Sequence, residues 1–284
     1  MANRASVIRV LRCRGESAQI VAMNVLKVTR LLHRLRGSSH PVLAEADDGA
    51  TYVVKLSTVA SEPWRAFNEA AGSLLFSSCG LPVPDWSPVL VSRAHIDEAS
   101  QARLTASSGS DSQMCFGSRF LGSDGGRIFE ILPQSYFARV QRRSHFWTAW
   151  LLDICAGNRD PRQVIFKEVA ERKLQPYFID SGEMFSSEFK QSNAAVNACR
   201  FLDDRVYPSL SSGRLDRIKR TIKMLDVDRL WASVGELPEE WNTRDRQVAF
   251  SACLTRLASE ALTGVLLDEV LVSLDIARNQ SRIP

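Results

Sequence analysis

The sequence has few cysteines, and no two of them lie close together along the chain. The 284 residues include six cysteines and no CxxC pair, the six being Cys13, Cys79, Cys115, Cys155, Cys199 and Cys253. Zinc sites and small disulfide frameworks both use cysteines at short, regular spacings. The observed spacing argues against both kinds of site, and it favours reduced thiols in a cytoplasmic protein.

A long uninterrupted apolar run and a large net charge are also missing. The most apolar stretch near the end of the chain is interrupted by Asp268 and Glu269, so we expect no membrane span. The net charge of +4 is too small to indicate nucleic-acid binding by itself. Two basic runs, residues 27–36 and 138–143, contain no aromatic residues, and they favour solvated faces over a nucleic-acid surface.

The first part of the chain has the pattern of β-strands. Residues 41–46 (PVLAEA) and 52–57 (YVVKLS) flank an Asp-Asp-Gly turn, which predicts a hairpin. Residues 62–78 predict a helix, with a proline in its first turn and a glycine beyond its end. The polar, serine-rich residues 93–113 predict a mobile loop.

The second part of the chain is mainly helical in pattern. Residues 144–157 (SHFWTAWLLDICAG) have apolar residues at helical spacing, and further helices are predicted from about residue 215. The change of pattern occurs near residues 122–126 (GSDGG). We therefore expect an α+β bilobal fold, with a β-rich N-lobe at residues 1–118, a mainly helical C-lobe at 119–284, and a ligand cleft between them.

Three segments of the first part could bind phosphates. Lys55 lies in the predicted strand, where a lone lysine most often faces solvent. Glu69, however, lies on the next predicted helix, and a strand lysine held by a helix glutamate can bind the phosphates of a nucleotide. The loop before the hairpin contains Gly37, Ser38 and Ser39, whose backbone N–H groups and hydroxyls could contact phosphates.

Two aspartates follow apolar segments in the second part. Asp160 follows the helix that ends near residue 157, and Asp180 ends an apolar strand. Either could be a turn residue. Phosphoryl transfer, however, needs one carboxylate near the acceptor hydroxyl and another as a hard ligand for Mg²⁺. The order Lys, Glu, Asp, Asp is also the order of protein-kinase folds.

These segments resemble the HipA-like kinase family, specifically its compact stand-alone branch. The resemblance extends from about residue 36 to 241, and it is carried by YVVKL, NEAAGSLL with GLPVP, FGSRF, GNRDPRQVIF, PYFIDSGEMF and ELPEEW. It implies a protein-kinase-like bilobal fold and ATP- and Mg²⁺-dependent transfer to a Ser or Thr hydroxyl of an unidentified protein substrate. Some members of the family act as toxins in growth arrest.

The resemblance also implies a role for each site residue. Asp160 would be the catalytic aspartate and Asp180 the Mg²⁺ ligand. Lys55 would contact the ATP phosphates, with Glu69 positioning it. Residues 36–41 would form the phosphate loop.

The sequence departs from the kinase pattern at Ile165, where kinases usually place a metal-binding asparagine. Gln163 is the nearest amide that could replace it as a metal ligand, and Asn158 is a further candidate. Glu183 lies where the compact branch commonly has histidine, and it could add a ligand or face solvent. The alternative function is therefore a pseudokinase that binds nucleotide or a protein partner without catalysis.

Overall fold

The computed structural model describes residues 7–12, 19–37, 41–56, 62, 64–99, 111–185, 197–259 and 264. Within these ranges the strands are β1 (Val7–Arg12), β2 (Gln19–Asn24), β3 (Leu26–Arg34), β4 (Pro41–Ala46), β5 (Thr51–Lys55), β6 (Trp86–Ser92), β7 (Ser112–Arg119), β8 (Ile128–Phe129), β9 (Gln163–Ala170) and β10 (Lys173–Ile179). The α-helices are α1 (Trp64–Ser78), α2 (Arg93–Ala99), α3 (His145–Ala156), α4 (Ser212–Lys223), α5 (Val227–Gly235) and α6 (Arg244–Ala258).

Five strands form a closed barrel in the order β3-β4-β5-β7-β6. Neighbouring strands are antiparallel except β3 and β6, whose parallel pairing at Leu26–Val89 and Lys27–Leu90 closes the barrel. The predicted hairpin is present as β4 and β5. Along β5 the buried and half-buried positions alternate, so Val54 packs inside the barrel while Lys55 lies on the opposite face.

A second hydrophobic cluster surrounds α1 and α3. Residues 66–72 and 74–76 of α1 are all buried, and so is every residue of α3 after its first. Helix α3 ends at Gly157, whose φ of 62° is in the left-handed region that favours glycine at this position. The cluster also includes side chains from β9, β10 and α6. Both buried helices were predicted, α1 from the proline and glycine at its two ends and α3 from its apolar spacing.

A second sheet, in the order β10-β9-β8, lies C-terminal to the barrel strands. Strands β9 and β10 pair antiparallel along most of their length, and β10 is the apolar strand expected before Asp180. Strand β7 ends at Arg119, next to the predicted boundary between residues 118 and 119. No helix among the described residues is both long and apolar enough to cross a bilayer.

The prediction of a loop at residues 93–113 was wrong at both ends. Residues 93–99 form α2, and 112–113 already belong to β7, while 100–110 lie outside the described residues. Helix α2 is favoured because Ser92 Oγ accepts a hydrogen bond from His95 N at 3.3 Å, as a capping residue does. Ile96 and Ala99 are buried against the barrel core. The polar composition of the segment obscured this short apolar face.

Gly117 tests the packing between β6 and β7. A Cβ atom at this position would overlap the Val89 side chain, which is fully buried in the barrel. We expect Gly117→Ala to lower the free energy of unfolding by about 1–3 kcal/mol, because an added methyl overpacks the site. The double variant Gly117→Ala/Val89→Ala should lose less free energy of unfolding than the two single variants lose together, as measured by urea unfolding. Strictly additive losses would contradict this contact.

Candidate active site

A cleft with a volume of about 1130 Å³ lies between the barrel and the second sheet. Barrel residues such as Val53, Lys55 and Phe116 line one side. Residues 160–165 and 178–180 line the other. Pockets for single small ligands are usually ~300–1,000 Å³, so this cleft has room for a nucleotide and part of a second molecule.

Lys55 projects from β5 into this cleft, and its ammonium group lies between two carboxylates. Nζ contacts the Glu69 carboxylate directly, and it lies 2.7 Å from Asp180 Oδ1. The Lys55 side chain is only 13% exposed. Burial lowers the pKa of Lys55, but attraction to Glu69 and Asp180 outweighs burial, so the pKa is raised and the group stays charged.

Glu69 links Lys55 to the segment after β10. It is buried on α1, a rare place for an acid without a partner. One of its oxygens contacts Lys55, and the other accepts a hydrogen bond from Ser181 N at 3.1 Å. Burial raises the pKa of Glu69, and the lysine only partly opposes this shift. Helix α1 thus holds both the lysine and the start of the loop.

Asp180 has an unusual backbone conformation at the end of β10. Its φ is 62°, in a region that residues other than glycine enter at some energetic cost and that is frequent at functional sites. One oxygen accepts from Lys55, and the other accepts from Gln163 Nε2 at 2.6 Å. Burial raises the pKa of Asp180, but Lys55 outweighs it and the net shift is downward. The carboxylate is therefore ionised at neutral pH.

The loop at residues 180–184 packs closely on α1. Asn68, which is fully buried, donates through Nδ2 to the carbonyls of Gly182 at 2.8 Å and Met184 at 2.5 Å. Gly72 permits this approach, because a Cβ atom there would lie 2.5 Å from Ser181 Cβ and 2.9 Å from Met184 Sδ. A helix glycine is therefore required by packing rather than by its backbone conformation.

Asp160 also lines this cleft, in the loop after α3. Its backbone N–H donates to Asn158 Oδ1 at 3.2 Å, and the residue is exposed. Burial raises the pKa of Asp160, and the nearby carboxylates of Glu183 and Asp180 raise it further. An exposed carboxylate with a raised pKa is suited to accept a proton from a hydroxyl group.

Arg162 is a buried residue of this site that the sequence reasoning missed. It forms an ion pair with Asp153 of α3, and the two side chains are 2% and 0% exposed. Its Nη1 atom donates to the carbonyls of Ile179 at 2.6 Å and Asp180 at 3.0 Å. The available signal was Asp153 itself, a carboxylate within the apolar pattern LLDICA, because a buried charge needs a partner.

The structure describes most of the other candidates from the sequence. Gly37 lines the cleft, whereas Ser38 and Ser39 lie outside the described residues. Ile165 lines the cleft from β9. Gln163 is the amide that reaches Asp180, since the Asn158 side chain instead donates to Asp153 at 2.9 Å.

Glu183 is held in two ion pairs. Its carboxylate lies 2.7 Å from Arg65 and 3.1 Å from Arg159. Glu183 therefore ties α1 to the loop that carries Asp160, and a role as metal ligand would compete with both arginines. Across the described ranges, no group of three or more His, Cys, Asp and Glu side chains could hold a metal ion. A divalent ion at Asp180 would need oxygens from a ligand and from water, as Mg²⁺ at nucleotide sites commonly does.

Comparison with known proteins gives structural neighbours at low sequence identity. The proinflammatory kinase CtkA of Helicobacter pylori matches with a TM-score of 0.53 and 12% identity, over 87% of this chain and 99% of that one. The Golgi casein kinase matches with a TM-score of 0.51 and 14% identity, over 87% of this chain and 73% of that one. Its structure with Mn and ADP bound matches with a TM-score of 0.50 and 14% identity, over 87% and 74%.

No protein-family model and no curated protein sequence matches the chain. At 12–14% identity the structural neighbours establish only the fold. The chain has an α+β, kinase-like fold.

The contact between α1 and the loop can be tested at Gly72. We expect Gly72→Ala to destabilise the protein by about 1–3 kcal/mol, because the added methyl overlaps Ser181 and Met184. Gly213→Ala is the matched control. It lies at the exposed start of α4 with no atom within 4 Å of the added methyl, so it should stabilise by up to ~1 kcal/mol. Equal effects of the two substitutions in chemical denaturation would contradict the close packing.

Proposed function

We propose that this chain is an ATP- and Mg²⁺-dependent protein kinase of the HipA-like type, which transfers a phosphoryl group to a Ser or Thr hydroxyl. The observation that carries the proposal is that Lys55, Glu69 and Asp180 meet at one side of a cleft that also exposes Asp160. The kinase-like fold of the structural neighbours supports it. In this proposal residues 1–118 are the nucleotide-binding N-lobe and residues 119–284 the catalytic C-lobe.

Each side chain has one task in the proposed reaction. Lys55 binds the nucleotide phosphates, and Glu69 holds the ammonium group in position. The backbone around Gly37, together with Ser38 and Ser39, contributes further phosphate contacts. Asp160 orients the acceptor hydroxyl and takes its proton. The apolar side chains of the cleft exclude water around the transferred group.

Asp180 and Gln163 are the proposed metal ligands. Bound Mg²⁺ would offset the phosphate charge, which is its usual contribution to phosphoryl transfer. The structure of the Golgi casein kinase was solved with Mn and ADP bound, which supports nucleotide and divalent metal use by this fold. Because Ile165 offers no ligand atom, we propose one metal ion rather than two. The same feature favours the alternative, a pseudokinase that binds nucleotide or a partner without catalysis.

The setting of this activity comes from the sequence alone. The spacing of the cysteines favours reduced thiols; the described ones, Cys79, Cys115, Cys155, Cys199 and Cys253, are buried. A cytoplasmic location and a toxin role in growth arrest stay predictions.

Two aspartate variants separate the kinase from the pseudokinase. We expect Asp160→Asn to reduce phosphoryl transfer by roughly 10²–10⁴-fold without changing ATP affinity, because it removes only the proton acceptor. We expect Asp180→Asn to weaken Mg²⁺-dependent ATP binding about tenfold to a hundredfold, since a lost charge-assisted contact contributes roughly 1.5–3 kcal/mol.

Calorimetry of ATP with and without Mg²⁺, together with transfer of labelled phosphate to Ser and Thr peptides or to the protein itself, measures both effects. Wild-type protein that binds Mg²⁺–ATP but transfers no phosphate would favour the pseudokinase. Wild-type protein that binds no nucleotide would refute both functions.

The raised pKa of Asp160 predicts a pH effect. Asp160 must be ionised to accept a proton, so kcat/KM should fall as the pH drops through this raised pKa. Glu183 is one of the carboxylates that raise it. Glu183→Gln should therefore lower the pKa of Asp160 and move the acid limb of the profile to lower pH. Glu239→Gln, at an exposed position, is the control. An acid limb that stays in place in Glu183→Gln would rule out Asp160 as the titrating base.

A further inference from the structure

Arg162 connects α3 to the end of β10 through a single guanidinium group. Its Nε donates to Asp153 Oδ2 at 2.9 Å, and Nη2 donates to Asp153 Oδ1. Its Nη1 donates to the Ile179 and Asp180 carbonyls and reaches Ser181 Oγ at 3.4 Å. Arg162 lies two positions after Asp160, so it links the loop that carries Asp160 both to α3 and to the segment that carries Asp180.

The buried ion pair is poorly explained by stability. Removing two charges from water offsets most of their attraction, and well-packed neutral replacements are often equally stable. The geometry suggests a different reason. Because both oxygens of Asp153 hold one edge of the guanidinium group, the plane of the group is fixed and Nη1 must point at the two carbonyls.

Those two carbonyls lie on either side of the Asp180 Cα atom, where the backbone adopts an energetically costly conformation. Asp180 has a φ of 62°, and from that backbone conformation its carboxylate accepts hydrogen bonds from Lys55 and Gln163. The hydrogen bonds that Arg162 donates to the carbonyls of residues 179 and 180 stabilise this turn. On the opposite side, Asn68 holds the loop through the Gly182 and Met184 carbonyls.

The loop that carries Asp160 is joined to Arg162 by a short segment with a restricted backbone. Only Pro161 separates Asp160 from Arg162, and proline restricts both its own φ and the conformation of the residue before it. The Arg162 N–H is also bonded to the Cys199 carbonyl at 3.2 Å. A fixed Arg162 therefore fixes the position of Asp160.

We propose that Arg162, oriented by Asp153, is a positioning residue that sets the spacing between the Asp160 and Asp180 carboxylates. Arg162 is buried beneath the cleft lining, and its guanidinium donors are directed to Asp153 and to the segment after Phe178. This inference rests on the proposed kinase function, because the spacing of the two carboxylates has a purpose only if acceptor and metal meet between them.

Two variants separate positioning from stability. The double variant Asp153→Asn/Arg162→Met leaves no charge at either position, and the amide introduced at position 153 can keep the hydrogen bond from Asn158. The variant lacks the guanidinium donors to residues 179–181 and to Met184. Arg162→Lys keeps the charge but lacks the planar fork. The control is Arg200→Met/Asp204→Asn. It removes a different ion pair, in which Arg200 Nη1 lies 2.7 Å from Asp204 Oδ1.

Three measurements on the full-length protein test the proposal: thermal unfolding, the Mg²⁺ dependence of ATP affinity, and hydrogen–deuterium exchange of residues 179–184. We expect the neutral double variant to unfold within a few degrees of wild type. It should need at least tenfold more Mg²⁺ for half-maximal ATP binding and should lose exchange protection at 179–184. Arg162→Lys should be intermediate, and the control pair should match wild type in Mg²⁺ dependence and in this protection.

Unchanged Mg²⁺ dependence and unchanged protection in the double variant would overturn the proposal. Loss of protection throughout the C-terminal half would also overturn it, because Arg162 would then have a general structural role. If wild-type protein binds no Mg²⁺–ATP, the proposed function fails instead. The exchange of residues 179–184, which needs no nucleotide, then still decides whether Arg162 orders this segment.

Discussion

The arrangement of the cleft depends on the ion pair between Asp153 and Arg162, which is buried beneath it. Helix α3 is mostly apolar and almost fully buried, so the carboxylate of Asp153 must find a charged partner inside the protein. That partner comes from the loop that carries Asp160, and its remaining donors are directed to the end of β10. One charge in a helix thus determines where two neighbouring loops can lie.

A second electrostatic balance operates above this pair. Lys55 is a single cation between the carboxylates of Glu69 and Asp180, so the cluster keeps an excess negative charge. This excess charge suits a divalent cation. The ion pairs of Lys55 with Glu69 and Asp180 hold α1, β5 and the 180–184 loop together without a ligand. In our account nucleotide phosphates compete for Lys55, and Asp180 is then available to a metal ion. The same three side chains form a structural contact and, in the proposed function, a binding site.

Local patterns predicted much of this structure. The turn at residues 47–49 and the β-rich run after it predicted the hairpin of β4 and β5, the proline and glycine at its two ends predicted α1, and apolar helical spacing predicted α3. The closure of the barrel was beyond reach, because the parallel pairing of β3 with β6 joins segments about 60 residues apart and leaves no local signal. The helix at residues 93–99 was missed because its buried face consists of only Ile96 and Ala99. Charged site residues near strand ends, such as Lys55 and Asp180, could be identified from the sequence. Supporting residues such as Arg162 and Asn68 could not, because their role becomes visible only in tertiary contacts.

The most direct test of the central claim is a crystal structure with a non-hydrolysable ATP analogue and Mn²⁺, whose anomalous signal locates the metal. The account predicts the phosphates against Lys55, the metal bound to an Asp180 oxygen, and the terminal phosphate facing the Asp160 carboxylate. A nucleotide bound outside this cleft, or a metal held by residues other than Asp180, would contradict it.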